Sequence, residues 1–506
     1  MIILGLKLAT VFTDNMVLQR DAEVNVWGQA EENSKVKGKI CGQTSEGKVK
    51  NGNFRLTFNG LKVGGPFQLE VSSKTENRVV KNILVGDVWV AGGQSNMQFR
   101  LKDSANGEEY IEESNYPEIR YYEVPEIEYE DDKTRIPNLV DKGWQASSKY
   151  TSENFSAVAY HFAKNLYKDL KIPIGIIDCN KGATSASCWM SEEYLVKDEN
   201  VKIAYLDEYK KSIENLTQEK EDEQIKELYE SKRIYAKKEG EYKKKYQEKT
   251  LDELQHDIGY APWKPPTGRK SYLRPCGLYK TMLSKIIPFT VKGVIWYQGE
   301  QDAPKAKLYK SLFKSVIENW REDFENKNLP FVFVQLPMFN DENIDTWRII
   351  RDAQLYILKT IKNTSMVVTV DCGEKGNVHP KDKNLVGERL ALVVREDIYK
   401  ENINGSSPIY SRYEKQGDKI AIYFDHVESG ELIVQGGGAL KGFEISGKQG
   451  EYYGANAEIV GDKVLVYSEK IKKPTSVRYG WKNYDEINLF NKYGLPASPF
   501  NTESKY

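Results

Sequence analysis

The sequence predicts an α/β protein: a parallel sheet flanked by helices, preceded by a small β-sandwich and followed by more β structure. Three observations predict it. Residues 1–86 alternate apolar and polar side chains between Gly and Asn turns, residues 87–400 alternate short apolar runs with helical periodicity, and residues 401–506 return to period two. At 506 residues the chain is too long for one ordinary core, and ~150 residues per domain suggests about three.

In the first region Val24 and Val26, then Phe54, Leu56 and Phe58, then Phe67, Leu69 and Val71 alternate with polar neighbours. Asn51-Gly52, Asn59-Gly60 and Gly64-Gly65 punctuate them as turns. The opening MIILGLKLATVFTDN has one Lys, at position 7, and no charged stretch ahead of its apolar run. It reads as a strand rather than an export leader.

The pattern changes near Gly86. Strands are expected at 88–91, 174–177, 294–296, 331–336 and 366–370, and helices at 155–170, 308–324, 347–358 and 385–394. Such alternation implies parallel strands covered on both faces. Residues 192–256 interrupt it with a Lys- and Glu-rich stretch that reads as a solvated helical hairpin inserted between two strands. After residue 400, Ile420, Ile422 and Phe424, then 432–434, then Val464 and Val466 alternate again.

Charge and composition limit the partners. With 73 Lys+Arg against 74 Asp+Glu the net charge is −1, which argues against nucleic acid or a polybasic membrane contact. No apolar run approaches the ~18 residues of a membrane span. Cys41, Cys179, Cys188, Cys276 and Cys372 are odd in number and form no CxxC, which fits a reducing cytoplasm. HExxH, a clustered Cys/His set and the phosphate-binding glycine motifs are all missing, so no metal or cofactor is expected. Self-association is left open.

Four segments follow expected strand ends, where ligands bind in open α/β sheets. In Gly92-Gly93-Gln94-Ser95-Asn96-Met97 two glycines allow a sharp turn that exposes Ser95 at a helix start. That suits a nucleophile, although a Ser N-cap explains the same pattern. The G-x-S-x-G elbow is not met, because Met97 stands at its second Gly. In Asn180-Lys181-Gly182-Ala183-Thr184, Gly182 allows close backbone approach to a substrate, or simply a tight turn. In Trp296-Tyr297-Gln298-Gly299-Glu300 the Gln298 amide could donate to an oxyanion, or cap a strand end. The fourth segment, 371–380, carries His379 ahead of Pro380, a good first helical residue. Of the four histidines, His161 lies in an apolar helix, His256 follows the charged insertion and His426 lies in the last β region. Only His379 sits at a parallel strand's end, which makes it the candidate base for Ser95. Gln94 and Glu300, within these segments, are candidates for substrate contact.

Together these residues resemble the sialate O-acetylesterase family, a branch of the SGNH hydrolases. The ordered matches are 14–20 with Val26-Trp27-Gly28, 93–97, 182–184 with Trp189-Met190, Arg274-Pro275 with 277–279, 296–300, Arg351 with Gln354, and His379-Pro380 with Lys383. They cover most of the chain outside the charged insertion. The resemblance implies a flavodoxin-like SGNH catalytic domain and serine-dependent hydrolysis of O-acetyl esters on a sugar, typically sialic acid. It implies Ser95 as nucleophile, His379 as base, and an oxyanion hole from the N–H groups of Ser95 and Gly182 plus the Gln298 side chain. In one respect the chain departs from the family. An acidic residue is usual two or three positions before the His, where this chain has Asn377 and Gly376. Asn377, Glu374 or a backbone carbonyl is left to orient the ring. Arg351 is a candidate partner for a sialic acid carboxylate, or packs on its own helix beside Asp352. Two other readings stand beside this one: an acetylesterase for xylan-type or other acetylated oligosaccharides, and a carbohydrate-binding protein on a dead hydrolase scaffold.

Overall fold

The computed structural model describes residues 5–129, 142–246, 254, 257–259, 261–341 and 344–506. His256, the first four residues of the opening stretch and much of the end of the insertion lie outside them.

The organising element is one long strand, β1 (Asn77–Gly93). Its first half pairs antiparallel with Gly64–Ser72 and parallel with Val17–Gln19 in the N-terminal β module. Its second half is central in the large sheet. The domain boundary expected at residues 86/87 therefore falls inside a continuous strand. Gly86 marks the handover, since a Cβ there would lie 2.0 Å from the Pro173 carbonyl oxygen.

Four further parallel strands and one unforeseen one build the rest of that sheet. They are β2 (Tyr116–Glu123), β3 (Ile174–Asn180), β4 (Gly293–Tyr297), β5 (Phe331–Val334) and β6 (Thr364–Val367), in spatial order β2–β3–β1–β4–β5–β6. Gln145–Ser147 adds an antiparallel edge beside β2. The sequence did not signal β2, because Pro117, Glu118 and Arg120 interrupt any apolar run. β3, β4 and β5 are buried along their whole length, as expected of strands covered on both faces.

The helices sit close to their expected positions: α1 (Ser95–Gln98), α2 (Ala157–Leu170), α3 (Gln218–Lys245), α4 (Tyr309–Asp323), α5 (Trp347–Thr360) and α6 (Asn384–Asp397). Helix α2 begins after Ser156, whose hydroxyl accepts the Ala159 N–H at 3.2 Å. The long helix of the insertion, α3, buries only Glu221 and Tyr242 among its described side chains. Its remaining faces are solvated, as its charge density predicts.

The C-terminal region forms antiparallel sheets, including Ile409–Gln416 with Lys419–Asp425 and Phe443–Ser446 with Ser476–Tyr479. Gln335, just past β5, bonds Ser498 at 3.0 Å and ties this region to the large sheet. The architecture is thus mixed α/β, with one large mixed sheet and β structure at both ends of the chain.

Candidate active site

Strand register brings the expected segments together. On one side of β1, Gly93 pairs with Asn180 of β3; on the other it pairs with Tyr297 of β4. The loops holding Ser95, Gly182 and Gln298 therefore leave the sheet at the same level. Glycine is required at the exit. Gly93 has φ +137°, and a Cβ there would lie 2.1 Å from the Tyr297 carbonyl oxygen.

Ser95 is not the helix cap. Gln94 occupies that position, and Ser95 is the first residue of α1. Its hydroxyl is thereby free to meet His379, whose Nε2 lies 2.8 Å from Ser95 Oγ across 284 positions of sequence. For Nε2 to accept from the hydroxyl, the ring proton must sit on Nδ1. Burial, and secondarily the nearby Lys383 ammonium, push the His379 imidazole down to about 4. The ring is therefore neutral, and able to act as a base, throughout the ordinary pH range.

The residues expected to orient the ring do something else. Asn377 Oδ1 accepts the His379 backbone N–H at 3.0 Å, and its amide donates to Glu374 at 3.0 Å. Glu374 also accepts the Lys381 N–H at 2.9 Å. Both side chains shape the loop and leave the imidazole alone. Among the described residues Nδ1 has no hydrogen-bond partner, so the contact is a Ser–His pair without a carboxylate.

The loop is anchored from beneath by a buried chain that sequence reasoning did not assign. Asn96, next to the serine, donates to the Val378 carbonyl at 3.0 Å and to Glu300 Oε1 at 2.6 Å. Its own carbonyl accepts from Lys383 Nζ at 2.6 Å. Lys383 is 1% exposed, and burial holds its ammonium down at about 8, opposed by the Glu300 charge. This one asparagine, beside Ser95, thus ties down the residue before His379 and meets both a buried glutamate and a buried lysine. Glu300, expected to contact substrate, serves this network instead.

Three other expectations are corrected. Gln298 is fully buried, and its amide is committed to Asp302 at 2.6 Å and to Gln94 and the Thr184 carbonyl at 3.2 Å each. Its donors are spent on joining the strand ends. Gln94 is likewise internal, its carbonyl accepting from Gln298 and from the Gln301 N–H. Arg351 is also fully buried and donates to the carbonyls of Pro337 and Asn483 at 3.3 Å, and to that of Lys482. Burial lowers its guanidinium to about 9. It clamps the C-terminal region onto α5 and is out of reach of a substrate carboxylate.

Gly182 does border the serine, since a Cβ there would lie 3.5 Å from Ser95 Cβ. Its N–H donates to Gln98 Oε1 at 2.8 Å. Gln98 stands three residues after Ser95, on the same face of α1, a spacing visible in the sequence but not used. Its amide donates to Glu126 at 2.6 Å, and Glu126 also pairs with Lys181. A carbonyl oxygen thus already occupies a backbone donor beside Ser95.

The chain matches known proteins along its length. A family model described as carbohydrate esterase, sialic acid-specific acetylesterase, matches residues 261–395. The sialate O-acetylesterase of Mus musculus is 25% identical, over 98% of this chain and 94% of its own. That of Homo sapiens is 25% identical, over 98% and 92%. A crystal structure of a carbohydrate acetylesterase from Xanthomonas citri aligns with a TM-score of 0.77 at 29% identity, over 99% of this chain and 100% of that one. The family model and the full-length relatives agree: over almost all of its length the chain is similar to sialate O-acetylesterases.

Proposed function

We propose that this protein is a serine esterase that removes O-acetyl groups from sugars on an SGNH-type scaffold, with sialic acid, the substrate named for its relatives, as the acetylated sugar. The observation that carries the reading is the 2.8 Å approach of Ser95 Oγ to His379 Nε2 at the carboxyl edge of the parallel sheet.

In this reading His379 takes the Ser95 proton as Oγ attacks the acetyl carbonyl. The oxyanion is met by the N–H groups of Ser95 and Gly182. As the first residue of α1, Ser95 has no intrahelical acceptor for its N–H. The Gly182 N–H becomes available when Gln98 swings away, and the Gln98 carbonyl marks where the acetyl oxygen accepts. A donor so placed contributes about 2.7–4 kcal/mol to the transition state. The sugar oxygen leaves with the proton from His379, and water cleaves the acetyl-enzyme by the same steps reversed. Bonds from Asn377 and Glu374, together with the Asn96–Lys383 anchor, hold the backbone that carries His379. No step uses a metal or cofactor. The cytoplasm is the proposed location, supported by five cysteines that are all free thiols.

The test is acetate release from a 9-O-acetylated sialic acid, alongside 4-nitrophenyl acetate turnover blocked by a serine-reactive phosphonate. Turnover that survives in Ser95→Ala would overturn the reading, and with it the nucleophile.

A further inference from the structure

Glu126, which accepts from the Gln98 amide, lines a cavity of about 850 Å³. It lies within the roughly 300–1,000 Å³ range of small-molecule sites and is far larger than one acetyl group or one sugar ring needs. One wall is the segment after β2, including Glu126, the residue that holds Gln98. The opposite wall is helix α3 of the charged insertion, through Tyr235 and its neighbours. Trp263 and Tyr272 complete it. The insertion therefore walls a cavity and is not a detached excursion.

Its chemistry is specific. Trp263 is 48% exposed although it is the largest kind of apolar side chain, and it lines the cavity beside Tyr235 and Tyr272. Tyr235 is held in place, its hydroxyl donating to the Gly259 carbonyl at 2.9 Å. Aromatic faces of this kind suit the C–H faces of sugar rings. Four basic and four acidic side chains line the cavity, and the central ones neutralise each other: Arg100 with Glu123 at 2.7 Å, and Lys181 with Glu126. Matched charge offers many hydroxyl partners and no net attraction for a polyanion.

We propose that this cavity binds the uncharged sugar residues to which the acetylated sugar is attached, so that the preferred substrate is an oligosaccharide rather than a free monosaccharide. The proposal rests on the acetylesterase reading above. Gln98 is the partition. The ester carbonyl takes its place on the Gly182 N–H, and the remaining glycan extends past Glu126 towards α3 and Trp263.

The experiment compares kcat/KM for 9-O-acetylated sialic acid as the free sugar with that for the same residue ending a sialyl-lactose trisaccharide. The wild-type protein is expected to favour the trisaccharide about tenfold, the worth of one well-placed aromatic contact. Trp263→Ala should bring the ratio near one through KM for the trisaccharide, and Trp263→Phe should retain most of it. A wild-type ratio near one, or a ratio unchanged in Trp263→Ala, would overturn the proposal. So would turnover of 4-nitrophenyl acetate with neither sugar ester cleaved. Failure with all three esters would instead overturn the esterase reading itself.

Discussion

Two buried histidines make the instructive comparison. His161, in α2, is held down at about 3, and His379 at about 4, in each case chiefly by burial and then by nearby lysines. Judged by basicity the two are alike. Their surroundings are not. His161 is fully buried between Tyr110 and Tyr160, and neither ring nitrogen has a hydrogen-bond partner among the described residues. His379 is part-buried and faces a serine hydroxyl at 2.8 Å. A depressed imidazole records desolvation. Only the hydroxyl in reach makes the second one a candidate base.

The strongest way to break this comparison is to remove either member of the Ser–His pair. Ser95→Ala and His379→Ala should each lower kcat by on the order of 10⁴-fold, while His161→Phe should leave kcat within about twofold. Steady-state kinetics on 4-nitrophenyl acetate reads both. Equal losses at the two histidines would erase the distinction.

Next in size is Lys383→Met. It removes the bond to Asn96 and a cation that helps depress His379, so kcat should fall about tenfold, the scale of one buried charged hydrogen bond. The pH profile separates this from a merely structural defect. In the wild type, kcat/KM should hold down to about pH 4, where His379 protonates. Without the Lys383 charge the imidazole becomes more basic, and this acid limb should move to higher pH. A profile that stays put would show that Lys383 acts through the fold alone.

Smaller effects are expected from Asn377→Ala and Glu374→Gln. Each loses loop hydrogen bonds worth about 0.5–1.5 kcal/mol, which should appear as a lower Tm and a kcat reduction below about tenfold. Because neither side chain touches the ring, the acid limb should not shift in Glu374→Gln. A shift there would restore Glu374 as an orienting group.

The last prediction concerns stability alone. Because His161 is less basic folded than unfolded, the unfolded chain binds more protons as pH falls below about 6.5. Stability should therefore drop on acidification between about pH 6.5 and about 3, by up to ~1.4 kcal/mol per pH unit from this group. In His161→Phe that component should vanish from denaturant titrations run across this window.

Local pattern made much of this molecule legible. The apolar runs that open β3 and fill β4 and β5 announce buried parallel strands, and the glycines before Ser95 announce a sharp turn. β2 escaped notice because its charged residues and Pro117 break the run, and its pairing with β3 supplies what its own composition lacks. Arg351 and Gln298 looked functional by residue type. The structure spends both on internal hydrogen bonds, Arg351 on the C-terminal backbone and Gln298 between strand ends. Gln98 and Asn96 were overlooked because their partners lie far away in the chain.

The amino-acid sequence alone determined the order of modules, the exposure of Ser95 at a helix start and the presence of one histidine at a strand end, because period, glycine placement and strand-end position are local properties. Tertiary structure alone decided which groups reach that histidine, which polar side chains are consumed in the core, and that the charged insertion walls a cavity. Those outcomes depend on distances between residues hundreds of positions apart, and strand register sets such distances where residue type does not.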